Sequence, residues 1–260
     1  MITEIKFKSG LLNKLMLKEK IELSSGINVL WGRNGVGKSV LLETIADYCF
    51  VDTNRGGGWS KDGIIGFHFS MWEHRDVEDL SDVYEFTKHS KISINWSGQP
   101  VFYMHHDNIT NLGYIMCYGN RWMNGIGNIP NTVKKEYGYY ASSGQKIKSV
   151  GKMLIDLTPP DLTVDITWKK DQGYDSDFIK YVKERQERWK GERKSLLLLD
   201  EIDSQLDMEN QIWFHEELIP KLAEKYQIIL ASHSVFAMRH KNIIDIDGSL
   251  EIVKQKIKEF

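Results

Sequence analysis

The chain has 260 residues, 41% hydrophobic and 27% charged, with a formal net charge of −2. That is enough apolar material for one large core, and it excludes a disordered chain. The near-neutral balance gives no overall field toward nucleic acid or anionic lipid, although a local basic patch remains compatible with it.

The opening, MITEIKFKSG, has no apolar leader-like run, and no stretch approaches 18 consecutive apolar residues. The expectation is a cytoplasmic chain without membrane insertion. Cys49 and Cys117 are far apart and follow no metal-ligand spacing, and Cys49 sits on an apolar helical pattern as a small core residue.

In chain order, Thr3–Lys8 and Leu15–Leu23 read as an antiparallel hairpin. The apolar run 26–32 is a short strand ending in glycine, and 38–50 is a helix with Leu41, Leu42, Ile45 and Cys49 at helical spacing. Strands are expected at 64–70 and 100–106, with Gly-, Asn- and Tyr-rich material over 107–140. A helix is expected over 145–156, broken by Pro159–Pro160, and a charged helix over 178–190. Ser195–Glu201 carries four consecutive leucines, apolar on both faces as a central parallel strand requires. A further helix, a strand at 227–231 and two short terminal strands complete the expected order. Strands alternating with helices predict an α/β fold with a mainly parallel sheet.

Two motifs carry chemistry. Gly32-Arg33-Asn34-Gly35-Val36-Gly37-Lys38-Ser39 fills every fixed position of G-x-x-x-x-G-K-[ST], between a strand and a helix that continues through Val40. Glycines there let backbone N–H groups turn inward around a phosphate chain, and the helix N-terminus adds positive potential. Lys38 is assigned to the β- and γ-phosphates of ATP and Ser39 to Mg2+. At the far end, Leu196–Leu199 delivers Asp200 and Glu201 to a strand tip. Two carboxylates in that position suit a metal ion and a water to be activated, so Asp200 is a candidate metal ligand and Glu201 a candidate general base. A pair of helix-capping acids is the plainer alternative.

Four further features resemble the ABC ATPase family. The P-loop carries Asn34-Gly35 as in that family's G-x-N-G-x-G-K-S form, and Ala141-Ser142-Ser143-Gly144-Gln145 is similar to its LSGGQ signature. Ile202-Asp203-Ser204-Gln205-Leu206-Asp207 resembles its S-x-L-D loop, and His233 follows the strand 227–231 as its switch histidine does. The resemblance covers about 1–50 and 140–247. It implies a single ATPase domain over 1–260: a core lobe of about 1–50 and 195–260, an inserted variable and signature lobe of about 51–194, and an N-terminal antiparallel β part. It also implies ATP-driven head-to-tail dimerisation, with Ser142, Ser143, Gly144 and Gln145 closing over the partner subunit's γ-phosphate. Asp207 and Ser204 would report across the interface, and His233 would contact the γ-phosphate of its own subunit.

The departures are Ala141 for Leu, Ser143 for Gly and Ile202 for Pro. The family's hinge glutamine has no clear match; His105, His106 and Asp107 occupy its place in order, facing Mg2+, forming a separate metal site or standing as solvated strand-end residues, the plainest of the three. Phe7 lies at a distance compatible with stacking on adenine, though an N-terminal strand position favours the core.

About fifty residues separate Ser142 from Leu196, unlike transporter subunits, and neither sustained heptads nor a C-x-x-C hook is present. The chain is therefore most similar to small stand-alone AAA/ABC-like ATPases of recombination and antiphage defence, in which the dimer controls a partner protein or nucleic acid. A cytoplasmic transporter ATPase subunit and a non-hydrolysing scaffold are the alternatives, and Glu201 argues against the second. Phe102, Tyr103, Tyr114, Tyr118, Trp122, Tyr137, Tyr139 and Tyr140, interleaved with Arg121, Lys134 and Lys135, are either base-stacking groups or an ordinary core with an interaction surface.

Overall fold

The computed structural model describes residues 1–9, 19–51, 91–96, 101–105, 116–118, 142–156 and 194–259. The expected strand 64–70, the charged helix 178–190 and Arg121, Lys134 and Lys135 lie outside them, as do Tyr114, Trp122, Tyr137, Tyr139 and Tyr140.

β1 (Ile2–Ser9) pairs antiparallel with β2 (Lys20–Glu22), Glu4 opposite Glu22. This is the expected hairpin, with the first part of its second arm outside the described residues. On the other edge of β1 runs β4 (Lys91–Trp96), which the sequence reading missed although Ile92, Ile94 and Trp96 alternate with polar residues.

Among the described residues, the central sheet has six strands, in the order β6-β5-β7-β8-β3-β9. Five are mutually parallel: β3 (Ile27–Trp31), β5 (Val101–His105), β7 (Ser195–Asp200), β8 (Tyr226–Ser232) and β9 (Ile243–Asp245). β6 (Met116–Tyr118), also unanticipated, adds antiparallel to β5. Thus the stretch 51–194 contributes β4 to the N-terminal sheet and β5 and β6 to the central one. The main architecture is α/β and mainly parallel, as expected.

Both faces of the central sheet are covered, which explains the leucine run in β7. Leu196 and Leu198 point to one face with Leu30, Tyr103, Ile229 and Ala231, where they meet Leu41, Leu42 and Ile45 of α1 (Lys38–Val51) and Ile2, Ile5, Phe7 and Ile94 of the antiparallel sheet. Leu197 and Leu199 point to the other face with Phe102, Met104, Ile228 and Leu230. There they meet Ile147, Val150 and Leu154 of α2 (Ser143–Asp156). A helical rod covers the same face: α3 (Met208–Trp213), a π-helical turn (Phe214–Leu218) and α4 (Ile219–Lys225). Phe7 is therefore core, and Phe102 and Tyr103 are buried in opposite faces rather than available for base stacking.

The chain ends in a correction. Only the first of the two expected terminal strands forms, as β9; Leu250–Lys258 is a helix, α5. Leu250 and Val253 pack on the core while Ile252 is exposed, and Glu251 pairs with Lys254 one turn on. That is a spacing of three, and strand alternation would have buried Ile252 with Leu250. Among the described residues, no helix is long and apolar enough to cross a membrane.

α2 lies close against the helical rod because two of its glycines face it. A Cβ on Gly144 would stand 3.0 Å from Asn210 Nδ2, and one on Gly151 only 2.6 Å from Leu218 Cδ1. Tyr226 then ties the other end of α2 to β8 through its hydroxyl, 2.9 Å from the Leu154 carbonyl. Gly151→Val should destabilise the fold by about 1–3 kcal/mol through overpacking. Leu218→Ala alone should cost about 2–5 kcal/mol. Combined, the two should cost less than their sum in urea denaturation, because the shortened side chain makes room for the valine. Strict additivity would mean that the helices do not meet at this pair.

Candidate nucleotide site

The C-terminal tips of β3, β7 and β8 are neighbours in the sheet, and the loops leaving them bring the predicted residues together. Parallel α/β sheets present ligand sites at this edge. After Trp31, the loop 32–37 turns through positive φ at Gly35 (80°) and Gly37 (92°), a backbone that side-chain-bearing residues rarely adopt. Gly32 is required for a different reason: a Cβ there would meet Val36 Cγ2 at 2.8 Å.

Lys38 opens α1 and is only 3% exposed; its ammonium donates to the carbonyls of Gly32 (3.0 Å) and Arg33 (3.1 Å) and lies 3.5 Å from Glu201 Oε1. Ser39 donates its hydroxyl to Asp200 Oδ1 at 2.9 Å. Asp200 is fully buried, and its other oxygen accepts the Tyr103 hydroxyl at 2.9 Å with His105 Nε2 at 3.9 Å. In sequence Tyr103 belongs to the aromatics of 102–140, and neither motif signals its direct bond to the acidic strand tip. His106 and Asp107 lie outside the described residues.

Glu201 is the only described non-glycine residue with positive φ (51°). Its N–H donates to Ala231 O at 3.0 Å and its carbonyl accepts from Ser204 N at 3.1 Å, so β8 and the turn that follows β7 hold the strained backbone in place. Such local strain concentrates at functional positions. His233 is 44% exposed in its side chain and stands with Nδ1 3.8 Å from Glu201 Oε1. Glu201 therefore lies between the P-loop lysine and the histidine.

A residue missed in sequence braces the loop from behind. Asp247 Oδ2 accepts from the Arg33 backbone (3.1 Å) and Nε (2.8 Å), and its Oδ1 accepts from Ser249 N (3.1 Å). Burial opposes its ionisation, but the hydrogen bonds from Ser249 and Arg33 outweigh it and hold the carboxyl well below the usual range. Nothing in the local sequence around Asp247 signals the P-loop; the contact depends on β9 lying beside β3.

Residues 142–145 form the N-terminus of α2. Ser142 Oγ accepts from Gln145 N (3.3 Å) while Gln145 Oε1 accepts from Ser142 N (2.9 Å), a reciprocal capping box that the S-x-x-Q spacing announces. Ser143 Oγ reaches Gln205 Oε1 at 3.5 Å, and Gly144 abuts Asn210. Asp207 caps α3, accepting from Asn210 N (2.9 Å) and Nδ2 (2.8 Å); these bonds lower its pKa. The signature-like segment thus meets the S-x-L-D-like loop within one chain.

The donor set suits a magnesium nucleotide: a glycine loop at a helix N-terminus and a buried ammonium for phosphates, and a hydroxyl beside a carboxylate for a hard cation. Among the described residues, no group of three or more His, Cys, Asp or Glu could hold a metal by itself, so substrate oxygens would complete its shell, as Mg2+ sites commonly require.

A buried cluster lies just beyond the site. His215 Nδ1 is 3.1 Å from His240 Nε2, and His215 Nε2 is 2.8 Å from Asp203 Oδ2. Burial first, then the neighbouring His215, pushes the His240 pKa down to about 4 against the pull of Asp203. The unfolded chain takes up this proton near pH 6.5, whereas the folded chain takes it up only near 4. Stability should therefore fall as the pH drops between these values. His240→Gln should flatten this part of the stability–pH profile, as measured by urea midpoints from pH 7 to pH 4. An unchanged slope would refute it.

A family model described as an AAA domain matches residues 14–260. The chain belongs to this family of P-loop ATPase-type domains. No curated protein matches it.

Proposed function

As a member of the AAA domain family, we propose, the chain binds and hydrolyses Mg2+-ATP and works as an ATP-dependent head-to-tail homodimer that gates a partner protein or nucleic acid, in the manner of recombination and antiphage-defence ATPases. The observation that carries this reading is the meeting of three loops at one sheet edge: Ser39 2.9 Å from Asp200, and Glu201 between Lys38 and His233.

In this reading, the loop and first helical turn Gly32–Val40 cradle the phosphates and Lys38 leaves its loop carbonyls for the β- and γ-oxygens. Ser39 and Asp200 would hold Mg2+, which neutralises charge on the phosphate oxygens when bound. Glu201 orients the attacking water and accepts its proton. His233, exposed beside it, faces the γ-phosphate. The signature-like residues act on the partner subunit's nucleotide. Support for that comes from α2 packing on the sheet face opposite α1, with Ser142 exposed at its tip.

Lys38→Ala should weaken ATP binding severely in a fluorescent-nucleotide titration. Glu201→Gln should retain binding and slow hydrolysis by roughly two orders of magnitude or more, since it removes only the group that activates water. Equal turnover in wild type and Glu201→Gln would remove Glu201 from the reaction.

With ATP, Glu201→Gln should shift monomer to dimer in light scattering, and Ser142→Arg in that background should block the shift while keeping ATP binding. A monomer throughout at saturating ATP would exclude the sandwich. For a nucleic-acid partner, Arg121→Glu with Lys134→Glu should abolish salt-sensitive binding in an anisotropy titration, because phosphate contacts dominate such affinity. No binding of DNA or RNA, with or without ATP, would leave a protein as the partner.

A further inference from the structure

The ATPase reading gives no part to Asp203, yet this carboxylate is buried two residues beyond Glu201. A single oxygen, Oδ2, accepts the Ser232 hydroxyl at 2.5 Å and His215 Nε2 at 2.8 Å. Ser232 immediately precedes His233, and its hydroxyl also accepts from Ser234 N at 3.0 Å. Asp203 therefore joins the loop that carries Glu201 to the loop that carries His233.

A second tie runs parallel to the first. Ser234 Oγ donates to Gln211 Oε1 at 2.8 Å, and Gln211 Nε2 donates to Leu206 O at 2.9 Å. The second tie passes through the helical rod at Gln211 in α3, and the first is joined to the rod at Asp203 by His215 in the π-helical turn 214–218. The same rod receives Gly144 and Gly151 of α2 at Asn210 and Leu218, and Lys148 of α2 lies 5.3 Å from the Trp213 ring. A π-helical turn is a departure from regular helix that recurs at functional positions; here it contains both His215 and Leu218.

The protons are assigned by the chemistry. A carboxylate only accepts, so His215 must carry a proton on Nε2. Its Nδ1 then faces the uncharged ring of His240, which fixes the orientation of the imidazole. An apolar cluster could hold these three elements together; hydrogen bonds to one oxygen also fix their direction.

We propose that Asp203, held by Ser232 and His215, is a positioning residue that sets Glu201 and His233 in register with each other and couples both loops to the rod on which α2 packs. This rests on the reading of Glu201 and His233 as groups acting at the γ-phosphate.

The test uses the full chain with Mg2+-ATP, measuring kcat per ATP-binding site and the ATP dissociation constant separately. His215→Leu should lower kcat about tenfold with affinity kept within about twofold, the signature of an interaction needed for turnover and not for binding. His215→Gln, whose amide can donate from nearly the same place, should restore most of that loss. Ser232→Ala removes one donor without adding bulk and should lower kcat about threefold or more; it decides the matter if His215→Leu does not fold. Wild-type kcat in both His215→Leu and Ser232→Ala would overturn the proposal, as would parallel loss of kcat and affinity, or His215→Gln no better than His215→Leu. Wild-type protein without ATPase activity would overturn the functional reading together with this one; normal wild-type turnover without this pattern would overturn this one alone.

Discussion

Asp200 is a carboxylate with no exposure to solvent, at the end of a strand whose every residue is buried. Taking a charge out of water costs several kcal/mol unless hydrogen bonds and counter-charges replace the lost hydration. Here the replacements come from separate parts of the chain: Ser39 from the first turn of α1 and Tyr103 from β5. Each supplies a hydroxyl to one of the two carboxylate oxygens. The strand order that sets β5 and β8 on either side of β7, with the P-loop strand next along, satisfies the carboxylate and assembles the candidate site in one step.

The same edge shows how the fold holds a strained backbone on a rigid support. Glu201 adopts a left-handed backbone one residue beyond β7, held there by hydrogen bonds to Ala231 and from Ser204. Ala231 belongs to β8, a strand buried along its whole length. Behind it, the Asp203 cluster is a second buried acid bonded by groups from β8 and from the helical rod. Polar groups placed this deep specify one arrangement of the loops, since any slip leaves an acceptor without its donor.

At the opposite end of the sheet, two buried amides do comparable work without any catalytic meaning. Gln227 accepts from Ile2 N (2.8 Å) and donates to Ile2 O (2.6 Å) and Ser24 O (2.7 Å), fastening the N-terminal sheet to β8. Asn28 donates to Ile228 O and accepts from Asn242, locking β3 between its neighbours. Buried polarity alone therefore does not mark a site in this protein; position at the C-terminal strand tips does.

Local sequence was sufficient wherever the physics is local. The glycines and lysine of 32–39, the leucine run 196–199 and the strand–helix alternation each state their structure through spacing, backbone freedom or apolar periodicity, and with them came the α/β class and the residues that meet at the candidate site. The capping box Ser142–Gln145 and the alternation Ile92-Ile94-Trp96 were equally legible and were missed. Helix α5 was misread because Leu250, Ile252 and Val253 form too short an apolar run to separate a period of two from one of 3.6. What remained belonged to tertiary structure. Asp247 reaches Arg33 across 214 residues, Tyr103 reaches Asp200 across 97, and Ser232 reaches Asp203 across 29. None of these pairs has a sequence period, because each exists only through the order of strands in the sheet.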